Sequence, residues 1–235
     1  MLNYRNHALL LAALFCVLWI ALAIHPHYRE DWAMENVLLG PGALVLIWTY
    51  RRRIFSRVSY TLIFALLCFH EIGAHYTYEK VPYDAWWQAL TGHGFNDMFG
   101  WQRNHFDRLV HFLYGLFVAY PVREIFLRVA RVRGFWAYFL PLEFVMSTSA
   151  IFELLEWVAA MVAGGELGQA YVGTQGDVWD AQKDMALASV GALIAMLIIA
   201  IINGRCQRDF AQEWSRSLRI SGAPKLAGRK PARKG

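Results

Sequence analysis

Six long apolar segments determine what this chain can fold into. They cover approximately residues 9–24, 37–50, 60–75, 109–127, 135–163 and 185–203. A helix needs about 20 mostly apolar residues to cross a bilayer. A soluble domain also rarely reaches the 57% hydrophobic residues found in this chain of 235. The sequence therefore predicts an all-α fold, a polytopic transmembrane helix bundle of about six spans.

Two alternatives remain open within this topology. The second segment is short, and Gly40-Pro41-Gly42 interrupts it. It could be tilted, broken or partly re-entrant, which would leave five spans. In addition, Ala21-Leu22-Ala23 follows the first segment and resembles a signal-peptidase site, so cleavage there is a second alternative.

Lysine and arginine residues fall in every second connection. One group lies between the second and third segments, another lies between the fourth and fifth, and a third fills the C-terminal tail. By the positive-inside rule, both termini are expected to be cytoplasmic. The net charge of +5 comes from these regions. Membrane lipids with anionic headgroups are a sufficient partner for it, so we expect no nucleic-acid role.

The segments delimit a transmembrane helical domain over residues 1–210. Residues 211–235 are rich in Lys, Arg, Pro and Gly, which predicts a basic, disordered cytoplasmic tail. Residues 76–106 contain several aromatic residues among polar ones, which predicts a short helix at the level of the lipid headgroups. These aromatic residues are Trp86, Trp87, Phe95, Phe99 and Trp101.

Acidic and histidine residues occur at the outer ends of four segments. Asp177, Asp180 and Asp184 lead into the sixth segment at i, i+3, i+7 spacing, so they share one helix face. The others are His70, Glu71 and His75 on the third segment, Asp107 and His111 on the fourth, and Glu153 and Glu156 on the fifth. Ionisable groups at membrane depth need a cation, a proton or a basic partner. We therefore expect one shared polar site on the outer side.

This combination of side chains favours a divalent metal site. Carboxylate oxygens and imidazole nitrogens both bind divalent metals, and their proportion influences which metal is preferred. We expect the metal ligands to be Asp177, Asp180, Asp184, His111 and Glu156. We expect Glu153 or Glu71 to be the catalytic general base. From these side chains, a divalent metal ion of unknown identity is the cofactor expected. The chain has no glycine-rich nucleotide loop and no Cys-x-x-Cys-His haem motif.

Simpler interpretations exist for several of these residues. Asp107 and Asp177 could cap the N-termini of their helices. Asp180 could pair with Lys183 at the surface. The two histidines of the third segment could be interfacial hydrogen-bonding groups. The glutamates of the fifth segment are harder to explain in this way, because they lie well inside a span and each needs a partner there.

Small residues accompany the polar ones on the fourth and sixth segments. They are Gly115, Ala188, Gly191 and Ala192. Small side chains let the backbones of two membrane helices approach closely. We therefore expect close helix packing around the polar face.

Four motifs carry a family resemblance. They are Asp107-Arg108-Leu109-Val110-His111-Phe112 with Gly115, Arg123-Glu124, Phe152-Glu153-Leu154-Leu155-Glu156-Trp157, and Gly173-Thr174-Gln175-Gly176-Asp177-Val178-Trp179-Asp180-Ala181-Gln182-Lys183-Asp184-Met185. On these residues the chain resembles the YjdF-type bacterial inner-membrane proteins over nearly all of residues 8–203. The resemblance implies a multi-pass protein of the bacterial inner (plasma) membrane and implies no particular reaction. A looser likeness to VanZ-type membrane proteins, which pair an Asp-x-x-x-His-type helix start with a later acidic helix, hints at work in the cell envelope.

Three functions fit these features. The first is a metal-dependent hydrolase or transferase that acts on a lipid or envelope precursor at the outer face. The second is a structural or assembly role for a buried polar network. The third is transport of a cation or protons, for which only Glu143 and Glu124 lie further inward. The sequence does not show whether the chain is an enzyme. It also leaves the substrate and the oligomeric state open.

Overall fold

The computed structural model describes residues 4–165, 168, 172 and 174–206, and these ranges contain helices and turns but no strand. The helices are α1 (Tyr4–Leu22), α2 (Arg29–Glu35), α3 (Leu39–Arg52), α4 (Arg57–Tyr76), α5 (Tyr83–Thr91), α6 (Phe95–Phe99), α7 (Phe106–Arg128), α8 (Trp136–Ala163) and α9 (Asp180–Cys206). The all-α prediction is confirmed. The predicted tail, residues 211–235, lies outside the described residues, and the division into two regions stays a prediction.

Six stretches within the described residues are long and apolar enough to cross a membrane. Five of them coincide with single helices, namely α1, α4, α7, α8 and α9. The remaining one, Arg29–Arg52, joins α2, a 3₁₀ turn at Asn36–Leu38, and α3. The prediction of six spans is confirmed.

The second span differs in detail from the sequence-based expectation. Its helix begins at Arg29, so part of the expected first outer loop is α2. The irregular backbone is the 3₁₀ turn at Asn36–Leu38, and Gly40-Pro41-Gly42 is helical. Pro41 lies in the first turn of α3, where a missing N–H leaves no intrahelical hydrogen bond unmade.

The backbones of α7 and α9 touch at two glycines. A β-carbon at Gly115 would lie 1.8 Å from the carbonyl oxygen of Ala188. A β-carbon at Gly191 would lie 2.2 Å from the carbonyl oxygen of Phe112. Both distances are too short for any side chain, so only glycine permits this contact. The expected close packing around the polar face is therefore present.

The glycine contact also aligns the polar residues of the two helices. On α7, Asp107, His111 and Gly115 follow one another at intervals of four, and on α9 Asp184 and Ala188 do the same. Residues four apart form a continuous ridge on a helix. The turns that carry the polar groups therefore lie side by side, one turn beyond the glycine contact. We call this end of the bundle the acidic end.

The opposite end of the bundle, the basic end, is where α1 and α4 begin and where α3 and α7 end. The ring of Tyr4 stacks on Tyr50, with ring centroids 6.2 Å apart, and meets Tyr60 edge-on at 6.0 Å. Ile54 and Phe55, in the turn between α3 and α4, are buried in the same cluster. These aromatic contacts fix α1 against α3 and α4.

Two short helices, α5 and α6, lie in the connection between α4 and α7 at the acidic end. Their aromatic side chains pack on one another but stay partly exposed, with Trp86 46% and Phe99 55% exposed. Exposed aromatic rings on short helices are typical of segments at the headgroup level. The single interfacial helix that the sequence predicts is thus found as two helices.

Replacing Gly115 with Ala should destabilise the bundle, because the added methyl group must push two backbones apart. Overpacking a core typically costs about 1–3 kcal/mol, and backbone atoms cannot rotate away as a side chain can. Thermal unfolding in mild detergent would measure the loss. Gly40→Ala is the matched control, because a β-carbon there meets nothing within 4 Å. A Gly115→Ala variant that melts with the wild type would contradict the close approach.

Candidate functional site

Three side chains at the acidic end form an arrangement that could hold a metal ion. One ligand atom from each of Asp107, His111 and Asp184 lies within 4.8 Å of the others. We call these residues the triad. Metal bonds of about 2.0–2.3 Å hold ligand atoms at most roughly 4.6 Å apart, so a small inward movement would let all three share one ion. The N-cap of α7 is His105, so Asp107 is not the cap of its helix.

Helix α8 adds two glutamates to the triad. The Oε1 atom of Glu153 lies 3.6 Å from Nε2 of His111, as does Oδ1 of Asp107. Glu156 is half-buried and lies within electrostatic range of Asp107 and Glu153. The predicted ligands His111 and Asp184 thus lie together, with the predicted base Glu153 beside His111. The role of Glu156 as a ligand stays a prediction, because it is placed only within electrostatic range of Asp107 and Glu153.

Two of the predicted ligands, Asp177 and Asp180, face arginines. The Nη2 atom of Arg108 lies 2.5 Å from Oδ2 of Asp177 and 2.9 Å from Oδ1 of Asp180. The Nη1 atom of Arg103 lies 2.8 Å from Oδ1 of Asp180 and 3.5 Å from Oδ2 of Asp177. We call these four residues the arginine–aspartate network. Its carboxylates already have cationic partners, and their role as metal ligands stays a prediction.

The network joins the segment before α9 to the segment before α7. Arg103 Nη1 also donates to the carbonyl oxygen of Thr174 at 3.1 Å. The side chain of Gln175 accepts from the N–H of Asn104 at 2.9 Å and donates to its carbonyl oxygen at 3.0 Å. Gly176 has φ +84°, a left-handed conformation that favours glycine. The side-chain contacts of Gln175 and Asp177 and the conformation of Gly176 explain why Gln, Gly and Asp occur together in this motif.

Asp177 is further held by groups of its own helix start. Lys183 Nζ donates to its Oδ2 at 2.5 Å, and the N–H of Trp179 donates to its Oδ1 at 3.1 Å. The Lys183 ammonium, followed by the Trp179 N–H, holds the pKa of Asp177 well below its usual range. Lys183 therefore pairs with Asp177, and the alternative pairing with Asp180 is not found. Helix α9 begins only at Asp180, so Asp177 lies before it.

A second acidic group lies on α2 and α4. Glu71 is fully buried, and its carboxylate faces the side chains of Asn36 and Trp32 without a close hydrogen bond to either. Asp31 and Glu35 on α2 are also buried, at 1% and 5% exposure. Glu35 is within electrostatic range of Glu71 and of Asp107, which links this group to the triad. The predicted base Glu71 thus belongs to this second group.

The histidines of α4 form hydrogen bonds away from the triad. His70 Nδ1 lies 2.5 Å from the hydroxyl oxygen of Tyr78, and His75 Nδ1 lies 2.7 Å from the carbonyl oxygen of Leu22. The ring of Tyr78 lies against Gly73, where a β-carbon would meet it at 2.5 Å. The interpretation of these histidines as hydrogen-bonding groups is therefore confirmed.

Sequence analysis does not identify every residue of the site. Asp31 and Glu35 are not predicted as site residues, because the sequence of α2 is typical of a polar loop. Their i, i+4 spacing nevertheless matches that of Asp107 and His111. Arg103 is not predicted either, because a loop residue belongs to no periodic pattern and its ion-pair partner Asp180 is 77 residues away in sequence. Spacing along one helix was the only available signal, and it does not extend to partners on another segment.

Nearly the whole described chain is similar in sequence to known membrane proteins. Residues 7–205 match the family described as "Predicted membrane protein (DUF2238)". The chain belongs to this family. It is also 36% identical over 192 residues to the inner membrane protein YjdF of Escherichia coli (strain K12), an alignment that covers 81% of this chain and 88% of that protein. No solved structure matches the chain.

Membership of the DUF2238 family confirms the resemblance drawn from the four motifs. The matched range contains the triad, the arginine–aspartate network and the second acidic group. Large apolar side chains are exposed along α1, α8 and α9, as lipid-facing surfaces require. Together with the six apolar stretches, this makes the chain a multi-pass inner-membrane protein, as predicted.

Replacing Asp177 with Asn should lower stability at neutral pH, and the loss should disappear in acid. A carboxylate whose folded-state pKa is lowered contributes stability above its unfolded pKa, about 3.9. That contribution is lost as the pH falls through the lower folded-state pKa. Melting of wild type and Asp177→Asn in detergent should therefore differ by a constant amount from pH 7 to about pH 5, and the difference should shrink progressively as the pH falls further below about pH 4.

Asp97→Asn is the control for this measurement, because Asp97 is exposed on α6 and outside the network. It should follow the wild type at every pH. A difference between wild type and Asp177→Asn that grows as the pH falls would contradict the assigned contacts of Asp177.

Proposed function

We propose that this protein is a membrane-embedded, metal-dependent hydrolase or transferase that acts on a lipid or lipid-linked envelope precursor. The reaction would take place at the acidic end of the bundle. The observation that carries the proposal is the convergence of the triad, whose ligand atoms lie within 4.8 Å of one another. The adjoining glutamates and the exposed aromatic helices support it.

The burial of the acidic groups favours a bound cation. Oδ1 of Asp184 and Oε1 of Glu153 are buried without a hydrogen-bond partner. A buried carboxylate without a donor is costly in free energy unless a proton or a cation offsets its charge. Arg103 and Arg108 face Asp177 and Asp180 instead. Two carboxylates and one imidazole are a ligand set that manganese, iron or zinc could occupy.

A divalent ion bound to the triad would supply Lewis acidity and lower the pKa of a bound water. The protein would supply the base that removes a proton from that water. Glu153 suits this role because its Oε1 lies 3.6 Å from Nε2 of His111 and accepts no hydrogen bond. Glu71 suits it less well, because its neighbours are the side chains of Trp32 and Asn36 in the second acidic group.

An ester or phosphoester of a lipid fits the surroundings of the triad. The Nε–H of Arg108 is buried without an acceptor, so it could donate to an oxygen of a bound phosphate or carbonyl group. The exposed aromatic side chains of α5 and α6 are of the kind found at the headgroup level. A substrate that stays in the bilayer could therefore present its linkage at the depth of the triad.

Metal analysis of the purified protein tests this proposal. In mild detergent, we expect about one divalent metal ion per chain by mass spectrometry. Asp184→Asn and His111→Gln should each reduce metal content or affinity by at least about tenfold, since loss of even an outer-shell partner commonly costs 10–100-fold. Hydrolysis of lipid esters and phosphoesters would then be assayed with the metal that co-purifies.

Glu30→Gln provides the matched control, because Glu30 is an exposed carboxylate on α2. It should retain the wild-type metal content. Folded wild-type protein that contains no metal and takes up none on titration would overturn the proposal. So would Asp184→Asn and His111→Gln variants that keep the metal.

The arginine–aspartate network favours a second candidate, a structural or assembly role. Its ion pairs join the segments before α7 and α9, as a scaffold would require. Under this alternative, Asp184→Asn should change the melting temperature and leave complementation of a deletion phenotype unchanged. Under the enzymatic proposal, complementation should be lost while melting changes little.

A further inference from the structure

A cavity of about 450 Å³ opens at the basic end of the bundle, far along α7 from the triad. Small-molecule sites commonly have volumes of roughly 300–1,000 Å³. The side chains that line the cavity come from the start of α1, the turn between α3 and α4, and the end of α7. They are Tyr4, Arg5, Arg53, Phe55, Ser56 and Arg128.

One of the three arginines in the cavity is already neutralised. Arg128 Nη2 donates to Oε1 of Glu124 at 2.9 Å. The other carboxylate oxygen of Glu124 accepts from the Ser59 hydroxyl at 2.5 Å and from the Ser56 N–H at 2.7 Å. Glu124 is therefore buried and bonded at both carboxylate oxygens, and the arginine it pairs with is Arg128.

The other two arginines pair with no carboxylate among the residues that the structure describes. Arg5 and Arg53 are both exposed, and none of the ion pairs in the described ranges includes either of them. Within the part of the chain that the structure describes, the cavity therefore has a net charge of two positive units. A ligand with net negative charge is the one it would attract.

The position of Arg53 is set by the backbone rather than by a helix. Arg53 ends α3 with φ 52° and ψ 41°, a left-handed conformation uncommon for a residue with a side chain. Arg128 Nη1 donates to the carbonyl oxygens of Arg53 and Ile54 and so fixes this turn. The chain then enters α4 at the N-cap Ser56, whose helix N-terminus adds further positive potential beside the cavity.

An aromatic wall lies next to these charges. Phe55 is 3% exposed and packs edge-on against Tyr60, with ring centroids 5.7 Å apart. Tyr4 is held between Tyr50 and Tyr60. The wall is thus rigid and apolar, so it suits the carbon part of a ligand whose polar part contacts Arg5 and Arg53.

We propose that this cavity binds the phosphate of an anionic phospholipid, with the glycerol and first acyl carbons against the aromatic wall. Four helices of the bundle begin or end here, so the cavity opens where headgroups lie. The same end holds the arginine-rich connections, and basic pockets between membrane helices on that side are known to bind anionic headgroups. The proposal is independent of the metal-dependent reaction at the acidic end.

Lipid titration followed by native mass spectrometry tests this assignment on the full chain in detergent. The probes are phosphatidylglycerol, zwitterionic phosphatidylethanolamine and soluble glycerol 3-phosphate. We expect wild type to bind phosphatidylglycerol most tightly, and the Arg5→Gln/Arg53→Asn variant to bind it about tenfold or more weakly. Asn tolerates the left-handed conformation at position 53, so this variant should melt with the lipid-free wild type.

The matched control is Arg51→Gln/Arg52→Gln, which removes the same charge from residues that do not line the cavity. Its affinity for phosphatidylglycerol should remain at the wild-type level. Equal losses in the two double variants would overturn the proposal, because binding would then depend on overall charge. Equal affinity for phosphatidylethanolamine, or for glycerol 3-phosphate, would overturn the assignment to an anionic lipid.

Discussion

The close approach of α7 and α9 at Gly115 and Gly191 is the contact on which the rest of this molecule depends. Lipid removes most of the hydrophobic driving force between membrane helices, so packing contacts and hydrogen bonds hold them together. Here the backbones themselves meet, with no side chain between them. His111 and Asp184 each lie one turn from that contact. Their separation is therefore set by helix packing, and a wider crossing would pull the triad apart.

The carboxylates of the acidic end fall into two groups, those that form ion pairs with arginines and those that do not. Asp177 and Asp180 face Arg103 and Arg108, and this pairing closes the segments that precede α7 and α9. Deeper in the bundle, the acidic side chains of α2, α4 and α9 are buried and those of α7 and α8 are half-buried, and several of them have a carboxylate oxygen without a donor. Such groups need a proton, a cation or another donor, and Arg103 and Arg108 make their ion pairs with Asp177 and Asp180 instead. The second group is where chemistry is to be expected.

What the sequence predicts follows from patterns within one segment. Apolar length locates every span except the second, which begins at Arg29, to within a few residues. Intervals of four identify Asp107 and His111 as neighbours on one face. What it does not predict depends on which segments meet. The pairing of Arg103 with Asp180 joins a loop to a helix, and the burial of Glu35 requires α2 to fold against α4. The periodicity of a sequence shows which face of a helix is polar, but it does not show which other helix or loop packs against that face.

The charge of the triad constrains the substrate and the cofactor together. Without a cation, Asp107, Asp184 and the glutamates of α8 would repel a phosphate or a developing oxyanion. Arg103 and Arg108 offset this charge only in part, because their Nη atoms face Asp177 and Asp180. The buried Nε–H of Arg108 has no acceptor and could still donate one hydrogen bond to the substrate. Under the proposed reaction, a phosphoester substrate would therefore need a metal ion at the triad. A site that contained only protons would instead suit a neutral or cationic ligand, so identifying the cation also identifies the class of molecule that can bind.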